Sequence, residues 1–126
     1  MLRSRPKPKG YDAVMAEAWF RAVCHRRAKC VRCRTPHALQ AHHAIDKSWL
    51  EKVARSAKLD AQRRNELLWN FRNGLCVCVS CHEAHTNRSR RLERWVLSGA
   101  QWEFAGAVDR LLGTQAGTCR LEREYP

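Results

Sequence analysis

Two Cys-x-x-Cys pairs, Cys30 with Cys33 and Cys78 with Cys81, stand far apart in a chain of 126 residues. A two-residue gap lets both thiolates grip one edge of a tetrahedral ion, so the two pairs together make a four-cysteine zinc site. Such a site leaves no open coordination position. It is structural, and its binding energy is folding energy. A domain of this size buries only a modest share of its surface, so a metal staple is a useful supplement to its core. Disulfides are the competing use of the same cysteines, but they require an oxidising compartment. Residues 1–10, MLRSRPKPKG, are basic and lack an apolar stretch, so no secretory signal is visible. No apolar run approaches the roughly 18 residues of a membrane span. The expectation is a cytoplasmic chain with no membrane partner. Cys76 lies two residues before Cys78 and competes with it for the site, although only Cys78 keeps the two-residue gap to Cys81. Cys24, Cys76 and Cys119 otherwise read as small buried hydrophobes.

Lys and Arg total 24 against 12 Asp and Glu, a formal charge of +12, which exceeds what solubility asks of a small domain. A polyanionic partner accounts for the excess. Nucleic acid is the usual one, because each phosphate neutralised releases condensed counterions. A membrane surface would call for one strongly amphipathic basic helix, whereas the basic residues here are spread over several segments. A solvated basic face is the bland alternative.

Residues 1–10 alternate basic side chains with Pro6 and Pro8, which blocks helix formation and predicts an extended, flexible basic arm. Residues 12–28 read as a helix, with Met15, Trp19, Ala22 and Val23 forming one apolar core stripe. After the first cysteine pair, ALQAHHAI alternates as a strand of four to six residues. A helix over 48–58, capped by Ser48 and burying Trp49, Val53 and Ala57, is expected next, then one over 61–69 behind an Asp60 cap. Asn73-Gly74 is a turn signal leading into the strand LCVCV. Two further helices are expected over 86–97 and 101–112, split by Ser98-Gly99, with Phe104, Val108 and Leu112 at four-residue spacing. The tail to Pro126 reads as irregular. Residues 11–126 read as a single domain.

The order Cys30-x-x-Cys33, His42-His43, Asn73-Gly74, Cys78-x-x-Cys81-His82 resembles an HNH endonuclease with zinc knuckles. The segment WNFRNGLCVCVSCHEAH is especially similar to small HNH proteins of bacteriophages. The resemblance covers roughly residues 30–88. It implies an α+β fold with a ββα-metal core over 30–90, a four-cysteine zinc site and surrounding helices, the C-terminal ones over 91–113. It further implies a metal-dependent DNA endonuclease that leaves 5′-phosphate and 3′-hydroxyl ends, nicking or cutting DNA in phage processing, packaging or mobility. Packaging or replication proteins then join DNA as candidate partners. A zinc-stabilised module that binds nucleic acid or a packaging protein without cutting is the alternative.

By the same resemblance, His42 and His82 are ligands of a second, catalytic divalent metal (Mg2+, Mn2+, Ni2+ or Zn2+), and His43 is the general base. Asn73 is a structural hydrogen-bonder that holds the base-bearing loop. Many HNH sites carry a third ligand about one turn after the residue matching His82. Here that place holds Thr86, and His85 is the nearest substitute. The residue types suit the chemistry: a neutral imidazole with a pKa near about 6.5 can take a proton from water, and a divalent cation can stabilise charge on phosphate. Neighbouring strand residues face opposite ways, so His42 and His43 can serve one phosphate only near a strand end. Arg88, Arg90 and Arg91, expected on the same helix as His82, are candidate DNA-phosphate contacts. His25 and His37 have no matching role.

Overall fold

A computed structural model describes residues 10–25 and 28–126 of the chain. The arm expected over residues 1–10 lies outside the described residues except for Gly10, where the first helix begins. The architecture is α+β. A two-stranded antiparallel sheet of β1 (Leu39–His43) and β2 (Gly74–Cys78) is surrounded by helices α1 (Gly10–Phe20), α2 (Lys47–Ser56), α3 (Ala61–Leu68), α4 (Val79–Thr86), α5 (Gly99–Leu112) and α6 (Ala116–Glu124). Pairing runs from Leu39 opposite Cys78 to His43 opposite Gly74.

Every residue of β2 is buried, which explains why it reads as an unbroken apolar run. Leu75 and Val77 join the main core with Leu50, Val53, Leu68, Leu92, Phe104, Val108 and Leu121. Cys76 faces the other way, into a smaller cluster with Trp19, Val23 and Cys24. The sheet is thus the partition between two cores. Gly74 opens β2 with an ordinary φ of −101°, so the turn formed by Asn73-Gly74 does not need its left-handed freedom. The glycine is required by packing, because a Cβ there would lie 2.2 Å from Val23 Cγ2.

Local chemistry sets the helix boundaries. Asp46, not Ser48, caps α2: its carboxylate accepts from Trp49 N–H, so the helix starts at Lys47 and the Ser48 hydroxyl donates to the Asp46 carboxylate. The buried face is Leu50, Val53 and Ala54 rather than Trp49, Val53 and Ala57. Asp60 caps α3 as expected. Ser98 and Gln101 form a capping box at α5, and Gly113 ends that helix at φ +73°.

Three expectations about whole elements are also overturned. The first helix does not continue to residue 28: α1 ends at Phe20 and passes into a π-helical turn, Arg21–His25, whose extra residue moves Cys24 inward and leaves Ala22 exposed. The helix expected over 86–97 is absent. The chain leaves α4 through Asn87, takes a left-handed Arg88 (φ 64°), and forms only a short 3-10 turn, Arg94–Val96. Leu92 and Val96 are buried at helical spacing, which mimicked a helix, but Leu92 N–H donates to the His85 ring instead of a helical carbonyl. The tail is not irregular either. It forms α6, whose first turn is capped from α5 by Asp109, accepting from Gly117 N–H at 2.6 Å and Thr118 N–H at 3.3 Å. Gly117 permits that close packing, since a Cβ there would meet Ala105 O at 2.9 Å.

Candidate functional site

The first site is the cysteine quartet. Sγ atoms of Cys30, Cys33, Cys78 and Cys81 all lie within 4.8 Å of one another, and they form the one such His, Cys, Asp or Glu group among the described residues. Cys33 and Cys78 Sγ are 3.7 Å apart, close to the roughly 3.8 Å edge of a tetrahedron with zinc–sulfur bonds of about 2.3 Å. Backbone N–H groups of Arg32 and Cys33 point at Cys30 Sγ (3.4 and 3.5 Å), and Cys81 N–H points at Cys78 Sγ (3.4 Å). These donors favour thiolate. Burial opposes ionisation of Cys30, but the peptide donors of Cys33, Cys78 and Arg32 outweigh it and hold that thiol at about 6, while burial and its cysteine neighbours push Cys81 up to about 12. Four thiolates this close need a cation to balance them, and the set could hold a metal ion such as zinc. Cys76 takes no part; its side chain hydrogen-bonds Cys24 in the smaller core.

The second site is the end of β1. Strand alternation sends its last two residues to opposite faces. His42 faces the main core, with ring centroids 5.1 Å from His82 in the middle of α4 and 5.2 Å from His85 in its last turn. Its Nε2 lies 3.0 Å from the Tyr125 hydroxyl. His43 faces the smaller core, stacked on Trp19 at 4.0 Å and tilted against Trp69 at 5.5 Å. Its Nε2 lies 2.9 Å from Leu68 O. A carbonyl oxygen only accepts, so His43 donates through Nε2 and keeps its lone pair on Nδ1. Asn73 is fully buried and clamps the segment after the strand: its Oδ1 accepts from Ile45 N–H at 2.8 Å and its Nδ2 donates to Ile45 O at 3.0 Å.

The two faces meet in a cleft of about 290 Å³ lined by His42, His43, Asp46, His85, Arg88, Arg120 and Glu124, among others. Two larger grooves, of about 550 and 620 Å³, lie elsewhere and contain no histidine; volume alone therefore does not choose the site. Burial, reinforced by neighbouring His85, His82 and His43, pulls the His42 pKa down to about 3. Burial also lowers His43, against the opposing effect of the Leu68 carbonyl, and lowers His85 to about 4 with Arg91 contributing. All three rings are neutral near pH 7 and retain lone pairs.

The expected site residues divide. His42 meets His82, His42 and His43 both line the cleft from opposite faces of β1, and Asn73 clamps the backbone just beyond them. His85 is buried, and its Nδ1 accepts from Leu92 N–H at 2.9 Å. A neutral ring accepting at Nδ1 carries its proton on Nε2, so in this arrangement it offers a donor where a metal ligand needs a lone pair. The arginines do not share the helix of His82. Arg88 lines the cleft from the turn after α4, and Arg90 is exposed in the following loop. Arg91 is paired with the Glu124 carboxylate at 2.5 Å and the Glu124 carbonyl at 2.8 Å. His25 and His37 are exposed.

Sequence reasoning missed the contribution of α6: Arg120, whose guanidinium lies 4.5 Å over the Trp49 ring, then Glu124 and Tyr125. The signal was there as Gly117, Leu121 and Tyr125, buried at successive four-residue steps. Among the described residues, no helix is long and apolar enough to cross a membrane. Comparison with protein-family models, curated proteins and solved structures finds no match to this chain.

Proposed function

We propose that the chain is a metal-dependent DNA endonuclease of the HNH kind, with β1, β2 and α4 as a ββα-metal core and the cysteine quartet as its structural zinc site. The observation that carries this reading is the convergence on one cleft of two adjacent histidines with different environments. His42 meets His82 across 5.1 Å, while His43 lines the same cleft from the other face of the strand with Nε2 committed to a carbonyl. The donor set fits a divalent cation: His42 stays neutral because it is buried, and imidazole nitrogens suit Mn2+, Ni2+ or Zn2+. A cation held by two protein ligands would keep several waters, which also suits Mg2+. When bound, it would neutralise charge on the phosphate and on the departing 3′ oxygen.

The remaining chemistry belongs to the chain. His43 takes a proton from the attacking water at Nδ1, its ring held by the Leu68 carbonyl and the Trp19 face. Asn73 fixes the backbone that carries it. Arg88 and Arg120 stand at the cleft to meet phosphate oxygens, and the formal charge of +12 draws the polyanion in. The products are 5′-phosphate and 3′-hydroxyl ends, and the setting is phage DNA processing, packaging or mobility.

The test is a supercoiled-plasmid assay on zinc-loaded protein at moderate salt, without added metal and with Mg2+, Mn2+ or Ni2+, beside His43→Ala. Metal-dependent nicking or linearisation that is lost in the variant supports the nuclease. Intact plasmid under every metal, with zinc content and fold sound, moves the reading to a zinc-stabilised nucleic-acid-binding module.

A further inference from the structure

Tyr125 follows α6, far along the chain from the strand that carries His42, yet its side chain is fully buried against His42 and His85. Its hydroxyl makes two contacts: 3.0 Å to Ala44 O and 3.0 Å to His42 Nε2. Its ring stacks on His85 with centroids 5.2 Å apart and planes 20° from parallel. The residue has little freedom to do otherwise. Its N–H donates to Leu121 O at 3.0 Å, and its carbonyl accepts from Arg94 Nε at 3.0 Å.

A phenol has one proton to give. Ala44 O cannot donate, so the Tyr125 proton goes to that carbonyl, and the phenol oxygen must act as acceptor toward His42. We propose that Tyr125 is a positioning residue that holds His42 in its Nε2–H tautomer, leaving Nδ1 as the one lone pair the ring can offer a divalent cation.

This rests on the reading of His42 as a metal ligand, and it deepens that reading by naming the ligating atom and what selects it. Metal-bound histidines ordinarily give their second N–H to a carboxylate, a carbonyl or water, and such partners fix the ring and raise its basicity. Here a tyrosine occupies that role and passes the hydrogen-bond chain on to Ala44 O, one residue past the strand that carries His42. Ala44 lies in sequence between His43 and Ile45, whose backbone Asn73 clamps, so the hydrogen-bond chain ties His42 to the short piece of backbone that follows His43. Without the hydroxyl, the ring loses its acceptor at Nε2. Both tautomers then become available, and the fraction ready to ligate through Nδ1 falls.

The experiment uses the full chain, zinc-loaded and free of a second metal, with 15N-labelled histidine. Long-range proton–nitrogen NMR reads the tautomer of His42, assigned with His42→Gln, in wild type and Tyr125→Phe. Isothermal titration with Mn2+ then reads affinity in both. The expected result is a protonated Nε2 and an unprotonated Nδ1 in wild type, mixed tautomers in Tyr125→Phe, and Mn2+ affinity lower by roughly 10-fold or more. A wild-type His42 protonated at Nδ1 overturns the proposal, and this measurement does not depend on whether the variant folds. A folded variant with unchanged tautomer and unchanged affinity overturns it as well. If wild type shows the expected tautomer, Tyr125→Phe mixes it, and neither protein binds Mn2+, the positioning role is supported while the nuclease reading falls.

Discussion

Replacing Asn73 with alanine should be among the most costly single changes outside the cysteine quartet. The side chain is fully buried and spends both its polar ends on one residue, accepting from Ile45 N–H at 2.8 Å and donating to Ile45 O at 3.0 Å. Ile45 is itself 1% exposed, so neither backbone group can turn to bulk water once the amide is gone. An orphaned buried donor or acceptor costs about 1–3 kcal/mol, and with water entering the vacated space the pair comes to about 2–5 kcal/mol. For a chain of 126 residues this corresponds to a Tm lower by roughly 8–19 °C. Urea denaturation of zinc-saturated wild type and Asn73→Ala, followed by circular dichroism, measures the difference directly. The m-value should stay unchanged while the midpoint falls. A loss below about 1 kcal/mol would refute the reasoning, because it would mean that Ile45 finds other partners and that the clamp is not what holds the backbone after β1.

If the quartet holds zinc, chelating it or replacing Cys78 with serine should abolish cooperative unfolding, and Co2+ substitution should give the intense thiolate-to-metal absorption of a tetrahedral sulfur site with one equivalent bound; absence of that band would exclude the quartet as a metal site. Gly74→Ala should cost about 1–3 kcal/mol by driving a methyl group into Val23, and Val23→Ala should recover part of the loss in the double mutant; a neutral single mutant would contradict the close approach. If the protein is a nuclease, the acid limb of kcat/KM should lie below the ordinary histidine value of about 6.5: burial lowers the His43 pKa, so the ring stays neutral and able to accept a proton at a more acid pH than a free histidine. An acid limb at or above that value would argue that His43 is not the base.

The parts of this fold written in local patterns were readable. The cysteine spacing, the strands around His42 and Val77, the Asp60 cap and the apolar spacing of α5 depend on neighbours in sequence, and the structure has them where those patterns place them. Two of the failures share one cause, the replacement of a local hydrogen bond by one from further along the chain. Helix α6 has no side-chain cap of its own because Asp109 supplies it from α5, and one position of its buried stripe is a glycine, which carries no apolar signal. Leu92 and Val96 keep helical spacing without a helix because the His85 ring takes the Leu92 N–H. In the candidate site, His42, His43, Asn73 and His82 could be named from motif order. Tyr125 and Arg120 could not, since nothing near them in sequence ties a C-terminal tyrosine or arginine to a strand more than half the chain away.

The short sheet carries an information problem of its own. β1 and β2 hold only five residues each, and sliding one past the other by a single position would exchange the surroundings of His42 and His43, giving the stacking face of Trp19 to one and the Tyr125 hydroxyl to the other. Five rungs of ladder are too few to forbid that slip by themselves. Each end of the ladder is instead pinned by something that tolerates no offset. At one end Cys78, paired with Leu39, belongs to the thiol quartet; at the other, Gly74, paired with His43, follows the residue whose amide grips Ile45. The quartet and the buried asparagine therefore act as the two end stops of a ruler, and which histidine meets which neighbour is decided by the distance between them.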